Sequence, residues 1–499
     1  MKKIVVIILL AGTLWGCNND VLNLTDPNRI TTQTFWQSEN DVISAFAATY
    51  SVLLGRYIYG DISVLIYNGR GDDFFIRNDM QTVHQPSTFT NTPDNADIRN
   101  MFSAYYQMIF RANQLIENIP GVPGLSDSQK TAYIAEAKFL RGLAYYTLVT
   151  VFGEVPLITS TPISKDDYFV AKSPINEIWT QAKSDFKDAS EGLGMSYSAP
   201  YLGRATNGAA LAFLGQSCLY TEDWDGVISS LTPLTSAPYS YKLMDNFEDN
   251  FVQEIENNSE SIFEIQFADI PGLGVATHYT ARMFAPAEVQ GWFEAFPTNK
   301  LFEAFEKEKT VEGKIDARMY ATLVWDYEGA TFYNLPFSSF KSPFPQFKAM
   351  FRKYQNYNLN NEATGSTGGI SNSDNNERVM RYDHVLMMLA EAHTMKNQLN
   401  EANVYLKQIR KRANLDENKT SGYNQTQMIE EIRHQRMLEF AREGQRFYDL
   451  KRWGILKQEI LNSDKEGKEF YVEGKHDYFP IPQGEIDSNP AIEQNSHWK

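Results

Sequence analysis

Hydrophobic residues recur at helical spacing through the N-terminal half of the chain. Apolar and aromatic positions between 35 and 54 fall three or four residues apart, which predicts a first helix because such positions share one helix face. The same spacing predicts a hairpin over 98–119 and 129–152, with Ser126 or Asp127 placed to cap its second helix. A further hairpin and its continuation are predicted over 174–189, 206–220 and 223–231. The N-terminal half is therefore predicted to consist of paired helices.

The pattern changes twice in the C-terminal half. The segment from Glu260 to Phe267 alternates apolar and polar residues, which predicts a β-strand. Residues 271–376 then lose regular periodicity, apart from a helix predicted over 298–308. A long irregular stretch inside a folded protein is usually functional, so this insert is expected to face a ligand. Helical spacing resumes in three segments, 377–396, 400–413 and 425–444.

Small residues mark the two helices predicted over 377–396 and 400–413. Ala390, Ala392 and Ala402 would let the helices approach closely, as in a tetratricopeptide hairpin. The helical pairs are degenerate and far apart in the chain, so a regular solenoid is not expected. The predicted fold is mainly α: tetratricopeptide-like helical hairpins form a platform that carries an irregular, loop-rich lobe with a few short strands.

The N-terminus has the pattern of an export signal. Two lysines precede a short apolar run over 4–10, and the segment Leu14 to Cys17 resembles a bacterial lipobox. The run is shorter than the roughly 20 residues that cross a bilayer as a helix. We therefore predict a signal peptide over 1–16, lipidation of Cys17 and a lipid-anchored tether over 17–34. The alternative is an incidental cysteine beside an ordinary signal-peptidase site.

Composition narrows the range of partners. The 499 residues exceed the roughly 250–300 at which a single core stops growing, so a composite body is expected. Lysine and arginine number 46 against 62 acidic residues, and the net charge of −16 would repel a phosphate backbone. Nucleic acid is therefore not an expected partner. Aromatic residues reach 13%, which favours stacking against a ligand.

Motifs for catalysis or for a metal are not apparent in the sequence. The seven histidines do not pair at the spacing of a helical zinc site, and Cys218 has no cysteine neighbour. Asp374 to Glu377 offers calcium-suited oxygens but lacks the glycine and the final glutamate of a hand-type loop, so a solvated loop is predicted. Neither a metal nor another cofactor is expected. A glycosidase with two carboxylates remains an alternative, because 62 acidic residues contain some pair at a suitable separation.

Charged residues at helical spacing near the C-terminus predict structural ion pairs. Opposite charges three or four positions apart support a helix and can hold a neighbouring segment. This interpretation, rather than a catalytic one, is favoured for Arg433, Arg436, Glu439, Glu443 and Arg446.

Four stretches in a fixed order carry a family resemblance. They are Tyr67 to Asp73, Ala135 to Leu157, Arg381 to Ala392 with Arg433 to Gly454, and Phe479 to Trp498. Together they resemble the SusD/RagB family of outer-membrane nutrient-binding lipoproteins. The resemblance divides the mature chain into an N-terminal helical region over 35–270, a loop-rich insert over 271–376 that faces substrate, and a C-terminal helical region over 377–499.

The resemblance also implies a function. It implies a lipid-anchored protein, exposed on the cell surface at the outer membrane, that binds an oligosaccharide without chemical turnover. It implies a TonB-dependent outer-membrane transporter, of the SusC kind, as the partner that receives the nutrient. A family member that binds oligopeptides is the main alternative, and a surface glycosidase is a further one.

Candidate ligand contacts lie in two aromatic stretches that correspond roughly to ligand-binding loops of the family, Asp72 to Asn78 and His278 to Phe284 with Trp292 and Phe293. Trp325 and Tyr327 are further candidates in the same irregular region. A sugar presents apolar C–H faces and hydroxyl groups, so its receptor needs aromatic platforms flanked by hydrogen-bonding groups. The predicted ligand-binding residues are Asp72, Asp73, Phe75, Arg77, Asn78, Tyr279, Trp292, Trp325 and Tyr327. Two alternatives stay open at this point: a single phenylalanine is more often a core residue, and Asp72 and Asp73 could cap a turn or pair with Arg70.

Overall fold

The N-terminal half consists of paired helices, as the spacing predicts. The structure, a computed structural model, describes residues 35–268, 278–355, 357 and 373–499. The helices are α1 (Glu39–Tyr50), α2 (Asp61–Gly69), α3 (Gln81–Ser87), α4 (Ala96–Asn118), α5 (Asp127–Phe152), α6 (Ile175–Gly192), α7 (Asn207–Tyr220) and α8 (Trp224–Leu231). The strands are β1 (Phe74–Ile76), β2 (Val155–Pro156), β3 (Lys172–Ser173) and β4 (Ser261–Ile265). The predicted helices and the strand at 260–267 are confirmed within a few residues, whereas the short helices α2 and α3 lacked a clear pattern.

Several predictions fall outside the described residues. The signal peptide over 1–16, the lipidated Cys17 and the tether over 17–34 all precede the first described residue. Of the helices that the structure describes, none combines the length and the apolar content that a membrane crossing requires.

The hairpin of α4 and α5 is fixed by a cap and by close packing. The Ser126 hydroxyl accepts a hydrogen bond from the Gln129 N–H, and the Gln129 side chain accepts one from the Ser126 N–H. The helix α5 then packs against α6 at Gly142, where an added Cβ would lie 3.2 Å from the Phe186 ring. This close approach makes α5 the central helix of the platform, and its second half is almost entirely buried.

A lobe of short elements, here called the insert lobe, occupies residues 278–355. Its elements are α9 (Thr280–Phe284), β5 (Ala295–Pro297), α10 (Asn299–Lys307), α11 (Ala317–Thr322), β6 (Leu323–Trp325), β7 (Thr331–Phe332), β8 (Leu335–Pro336) and β9 (Ala349–Phe351). The strand β1 pairs antiparallel with β5, with Phe75 opposite Phe296, and both rings lie in a hydrophobic core separate from the main one. This pairing joins the insert lobe to the N-terminal platform and holds the end of β1 against the lobe.

The C-terminal region begins with a strand instead of a helix. Residues 377–381 form β10 (Glu377–Arg381), which pairs antiparallel with β4, so the predicted helix over 377–396 is wrong in its first turn. The helices are α12 (Tyr382–Met395), α13 (Leu399–Arg412), α14 (Gln425–Glu439), α15 (Arg446–Arg452), α16 (Leu456–Leu461) and α17 (Gln483–Ser488). The predicted small residues of the α12–α13 hairpin, Ala390, Ala392 and Ala402, are fully buried.

The helix α14 is shorter than predicted. It ends at Glu439, and Arg442 adopts a φ of 65°, which takes the chain out of helical geometry before Glu443 and Arg446. The predicted charge ladder is therefore not on one helix. Three of its members form ion pairs with distant segments: Glu439 with Arg318, Glu443 with Lys353, and Arg446 with Asp72.

The final residues close the fold as an extended segment. Pro480 and Pro482 cannot donate backbone hydrogen bonds, and the neighbouring Phe479 N–H donates to the carbonyl of Val151 at 2.9 Å. The Asn495 amide donates to the Phe152 carbonyl at 3.1 Å. The C-terminus is thereby held across the end of α5.

Candidate ligand-binding site

The two acidic residues predicted to bind a ligand are both buried, and Asp72 is held in ion pairs. The Asp72 carboxylate accepts hydrogen bonds from the Arg446 guanidinium at 2.7 and 2.9 Å, and Lys300 approaches it at 2.5 Å. Burial alone would raise the pKa of Asp72, but Arg446 and Lys300 outweigh it and lower this pKa to about 2. Burial and the neighbouring Asp72 charge raise the pKa of Asp73 to about 7. Both residues are structural in this arrangement.

The alternative partner for these carboxylates, Arg70, is also buried but points elsewhere. Its guanidinium lies over the Phe447 and Phe479 rings, 3.8 and 4.2 Å from their centroids. It donates a hydrogen bond to the carbonyl of His476 at 2.5 Å. The pairing of Asp72 with Arg70 is therefore wrong, and Arg446 takes that place.

Two of the predicted aromatic contacts are core residues. Phe75 contacts Phe344 and Phe347 within the insert lobe, at centroid distances of 4.9 and 4.8 Å. Trp325 is 8% exposed and packs on Tyr327 at 4.6 Å. Neither Phe75 nor Trp325 presents a face to solvent, so we remove both from the candidate set. Tyr327 is partly exposed but belongs to this separate aromatic cluster.

The predicted Arg77 and Asn78 come directly after β1 and leave the core. The Arg77 N–H continues the β1–β5 ladder by donating to the Glu294 carbonyl at 2.8 Å. The Arg77 guanidinium donates to the Trp292 carbonyl at 2.9 Å and lies 3.1 Å from the Asp79 carboxylate. Asn78 is exposed. The strand pairing thus brings Arg77 and Trp292 together.

Tyr279 and Trp292 form an aromatic pair at the same edge of the insert lobe. Their rings stack with centroids 6.0 Å apart and an interplanar angle of 27°, and Tyr279 is 39% exposed. The Arg282 guanidinium lies 4.5 Å from the centroid of the Trp292 ring. Gly291 makes the turn possible, because a Cβ there would lie 2.0 Å from the Ala285 carbonyl oxygen.

An open cleft of about 550 Å³ lies beside this pair. Its lining residues are Arg77, Asp79, Ala287, Gly291, Trp292, Phe293, Glu294, Lys341, Pro343 and Phe344. We call it the Trp292 cleft. It combines an aromatic surface with guanidinium, ammonium and carboxyl groups, which is the composition expected of a site for a polyhydroxylated ligand.

The acidic side of the Trp292 cleft is a pair of carboxyl groups. Glu294 is 5% exposed, and burial together with its hydrogen bond to Asp79 raises its pKa to about 8, against an opposing effect of Arg77. Glu294 therefore keeps its proton at neutral pH, and the Arg77 guanidinium pairs with Asp79 at 3.1 Å.

Sequence reasoning missed five lining groups of the cleft or of its aromatic pair: Asp79, Arg282, Glu294, Lys341 and Phe344. A signal existed for the first three, because Asp79 is two positions from Arg77, Arg282 is three positions after Tyr279, and Glu294 is two positions after Trp292. Lys341 and Phe344 come from a distant loop without periodicity, so only the folded chain places them in the cleft.

A second acidic cluster is buried in the platform. Glu260, Asp383 and Glu439 lie close enough to hold a metal ion together. Arg381 lies 2.7 Å from Glu260, and Arg318 lies 2.9 Å from Glu439. These guanidinium groups already supply the counter-charge, so the cluster is an ion-pair network.

The loop predicted over Asp374 to Glu377 is not solvated as predicted. Asn375 and Asn376 are buried, and their amides donate to the Phe251 carbonyl at 2.6 Å and to the Glu264 carboxylate at 3.0 Å. The polar side chains there hold neighbouring segments together.

Comparisons with known proteins agree with this architecture. The family model described as "SusD family" matches residues 259–498, and the one described as "Starch-binding associating with outer membrane" matches residues 33–219. A SusD-like protein of Formosa agariphila is 26% identical over 99% of this chain and 98% of its own length.

Solved structures match over similar lengths. The crystal structure of a SusD superfamily protein from Bacteroides vulgatus is 34% identical, with a TM-score of 0.85 over 93% of this chain and all of that chain. A structure named as a laminarin-binding SusD-like protein is 26% identical, with a TM-score of 0.79 over 92% of this chain. The mainly α, SusD-like fold predicted from the sequence is thereby confirmed, and the chain belongs to the SusD family.

Proposed function

We propose that this protein is a lipid-anchored glycan-binding protein of the cell surface that captures an oligosaccharide in the Trp292 cleft and delivers it to a TonB-dependent outer-membrane transporter. The observation that carries the proposal is the partly exposed Tyr279–Trp292 pair beside Arg77 and Asp79. Support for the ligand class comes from the laminarin-binding relative, and support for the location from the family described as associating with the outer membrane.

The chemistry of the Trp292 cleft suits a sugar. An exposed aromatic ring offers a flat apolar surface to the C–H face of a pyranose, while charged side chains at its rim hydrogen-bond to hydroxyl groups. Tyr279 supplies exposed ring area, and the partly exposed Arg77 donates a hydrogen bond to the carbonyl of Trp292. The Arg77 N–H donates to the Glu294 carbonyl and the Arg77 guanidinium donates to the Trp292 carbonyl, and these two hydrogen bonds hold the groups in place, which reduces the entropy lost on binding.

The membrane anchor and the transporter are inferred from different observations. The anchor is inferred from Cys17 and the apolar run before it, since acyl chains at about 0.8 kcal/mol per buried CH₂ hold a protein to a bilayer. The transporter is inferred from membership of the SusD family. A ligand bound in an open cleft remains accessible to a second protein, which suits transfer.

We propose binding without turnover at this site. Asp79 and Glu294 are in hydrogen-bonding contact, whereas the paired carboxyl groups of a glycosidase are held about 5 Å or more apart on either side of the scissile bond. A contacting pair cannot flank a glycosidic bond.

The test is a binding screen of the mature protein, residues 18–499, against plant, microbial and host glycans and a peptide pool, followed by product analysis of each mixture. We expect saturable binding of a glycan that remains intact. In the variant Trp292→Ala the affinity should fall about thirtyfold, the loss of about 2 kcal/mol typical of a central aromatic contact.

The matched control is Tyr168→Ala, which removes a ring that is 61% exposed but lies outside the cleft. Its affinity should equal that of the unmodified protein. Peptide binding that survives Trp292→Ala would replace the glycan by a peptide as cargo, and shortened product would show an enzyme.

A further inference from the structure

Two cationic groups without acidic partners lie at the Trp292 cleft and its aromatic pair: Lys341 lines the cleft, and Arg282 lies over the Trp292 ring. Among the described residues, no carboxylate pairs with the Arg282 guanidinium or with the Lys341 ammonium group, and the buried Nε of Arg282 has no hydrogen-bond partner. Lys341 is exposed and lines the cleft, while Arg282 is held over Trp292. Both cations therefore lie next to the aromatic surface on which a sugar would stack.

The carboxyl groups around the cleft offset this charge only in part. Asp79 is paired with Arg77 at 3.1 Å, and Glu294 is protonated near neutral pH because burial and Asp79 raise its pKa to about 8. The exposed Glu288 carboxylate accepts a hydrogen bond from the backbone N–H of Lys341 at 2.9 Å. The ammonium group of Lys341 and the guanidinium of Arg282 remain available to a ligand.

The unpaired charges at the Trp292 cleft are opposite in sign to the net charge of the molecule. The chain carries a net charge of −16, so an anionic ligand is repelled at long range by most of the surface. Unpaired cations grouped at one aromatic cleft are then a local feature, and a neutral sugar would leave them without a counter-charge. An anionic sugar would supply charge-assisted hydrogen bonds to both.

We propose that the Trp292 cleft selects anionic oligosaccharides, that is, chains that carry uronate carboxylates or sulfate esters, through Arg282 and Lys341. This inference rests on the proposed glycan-binding function and narrows its ligand class. In this arrangement the pyranose face packs on the Tyr279–Trp292 surface, and the anionic substituent reaches the two cations at its rim.

The test uses pairs of oligosaccharides that differ only in charge. Each uronate oligomer is compared with its methyl ester, and each sulfated oligomer with its desulfated form, by calorimetric titration into residues 18–499 at low and physiological salt. We expect the anionic member of a pair to bind at least about tenfold more tightly, with an affinity that falls as salt increases. The two arms distinguish carboxylate from sulfate recognition.

Substitution of Arg282 or Lys341 tests whether these two cations cause the preference for anionic oligosaccharides. Arg282→Gln and Lys341→Gln should each reduce the affinity for the anionic oligomer about tenfold and weaken its salt dependence, because each removes one charge-assisted contact. Lys457→Gln is the matched control: Lys457 is an exposed lysine that pairs with Glu473 and does not line the cleft. It should bind like the unmodified protein.

The outcomes separate this inference from the broader proposal. Neutral members that bind as tightly as anionic ones would overturn the selection of anionic chains and keep glycan binding. Anionic binding that is unchanged in both variants would overturn the role of Arg282 and Lys341. Failure of every glycan, charged or neutral, would overturn glycan binding itself.

Discussion

Two charged segments on either side of β1 differ in their exposure to solvent. Asp72 and Asp73 lie just before β1 and are almost completely buried, whereas Arg77 and Asp79 lie just after it and reach solvent. Both segments carry charges next to aromatic residues, and both resemble a ligand site in the sequence. The difference arises because Arg446 and Lys300 reach Asp72 from distant parts of the chain and pair with it, while the second segment leaves the core beside an open cleft.

Burial determines whether a charged side chain is available to a ligand. A buried carboxylate is tolerated only when a counter-charge and hydrogen bonds replace water, and a carboxylate satisfied in this way has no capacity left for a ligand. Asp79 retains solvent contact, and both side chains of its ion pair with Arg77 are exposed to solvent. The charged groups that can bind a ligand are thus those that the fold leaves incompletely satisfied.

Removal of the buried Asp72 carboxylate is expected to have the largest effect on stability. Asp72→Ala removes the buried carboxylate shared by Arg446 and Lys300 and leaves them the partly exposed Glu459, and the expected loss is about 3–5 kcal/mol in the free energy of unfolding. Asp79→Ala removes an exposed ion pair and should change that free energy by about 1 kcal/mol or less. Urea unfolding followed by circular dichroism measures both, and equal losses in the two variants would contradict the assignment of Asp72 as structural.

The same contrast applies to the two candidate tryptophans. Trp325→Ala empties a core position and should cost about 3–5 kcal/mol in the free energy of unfolding. Trp292→Ala should leave that free energy within about 2 kcal/mol, because its ring is partly exposed, and should instead lower ligand affinity. Thermal unfolding and calorimetric titration of both variants measure the two effects, and an exchange of the two phenotypes would return Trp325 to the site.

The smallest expected effect is a pH dependence of binding at the Trp292 cleft. The pKa of Glu294 is raised to about 8 by burial and by Asp79, with Arg77 opposing, so the group is neutral below pH 8 and becomes a carboxylate above it. The charged groups that surround it are Arg77 and Asp79, with Lys341 in the same cleft and Arg282 over the Trp292 ring. An anionic oligosaccharide should therefore bind roughly three- to tenfold more weakly at pH 9 than at pH 7, because the new carboxylate repels it.

The variant Glu294→Gln tests the origin of that pH dependence. It stays neutral at every pH, so its affinity should be the same at pH 7 and pH 9, as calorimetric titration would show. A pH dependence that persists in this variant would assign the effect to another group.

The platform was predictable because its information is local. The spacing of apolar residues located α4 to α8, and a Ser–Gln capping box fixed the start of α5. The predicted secondary structure is wrong where a distant segment determines the conformation. Residues 377–381 pair with β4 and form a strand, although their apolar spacing continues that of α12. The early end of α14 likewise depends on the turn at Arg442.

The candidate site was predictable only in part. The sequence located the two stretches around Arg77 and Trp292, because aromatic residues in nonperiodic sequence favour an exposed site. It could not separate Trp292 from Trp325, since both lie in such sequence and only their packing differs. Asp72 was misassigned because its partner Arg446 is 374 positions away in the chain.

The sequence by itself determined the helical platform, the family and the regions from which a ligand site could come, because helix periodicity and motif order depend on neighbouring positions. Only the tertiary structure decided which charged and aromatic side chains remain free. That choice depends on partners contributed by remote segments, since a counter-charge or a packed ring removes a residue from solvent wherever that partner lies in the chain.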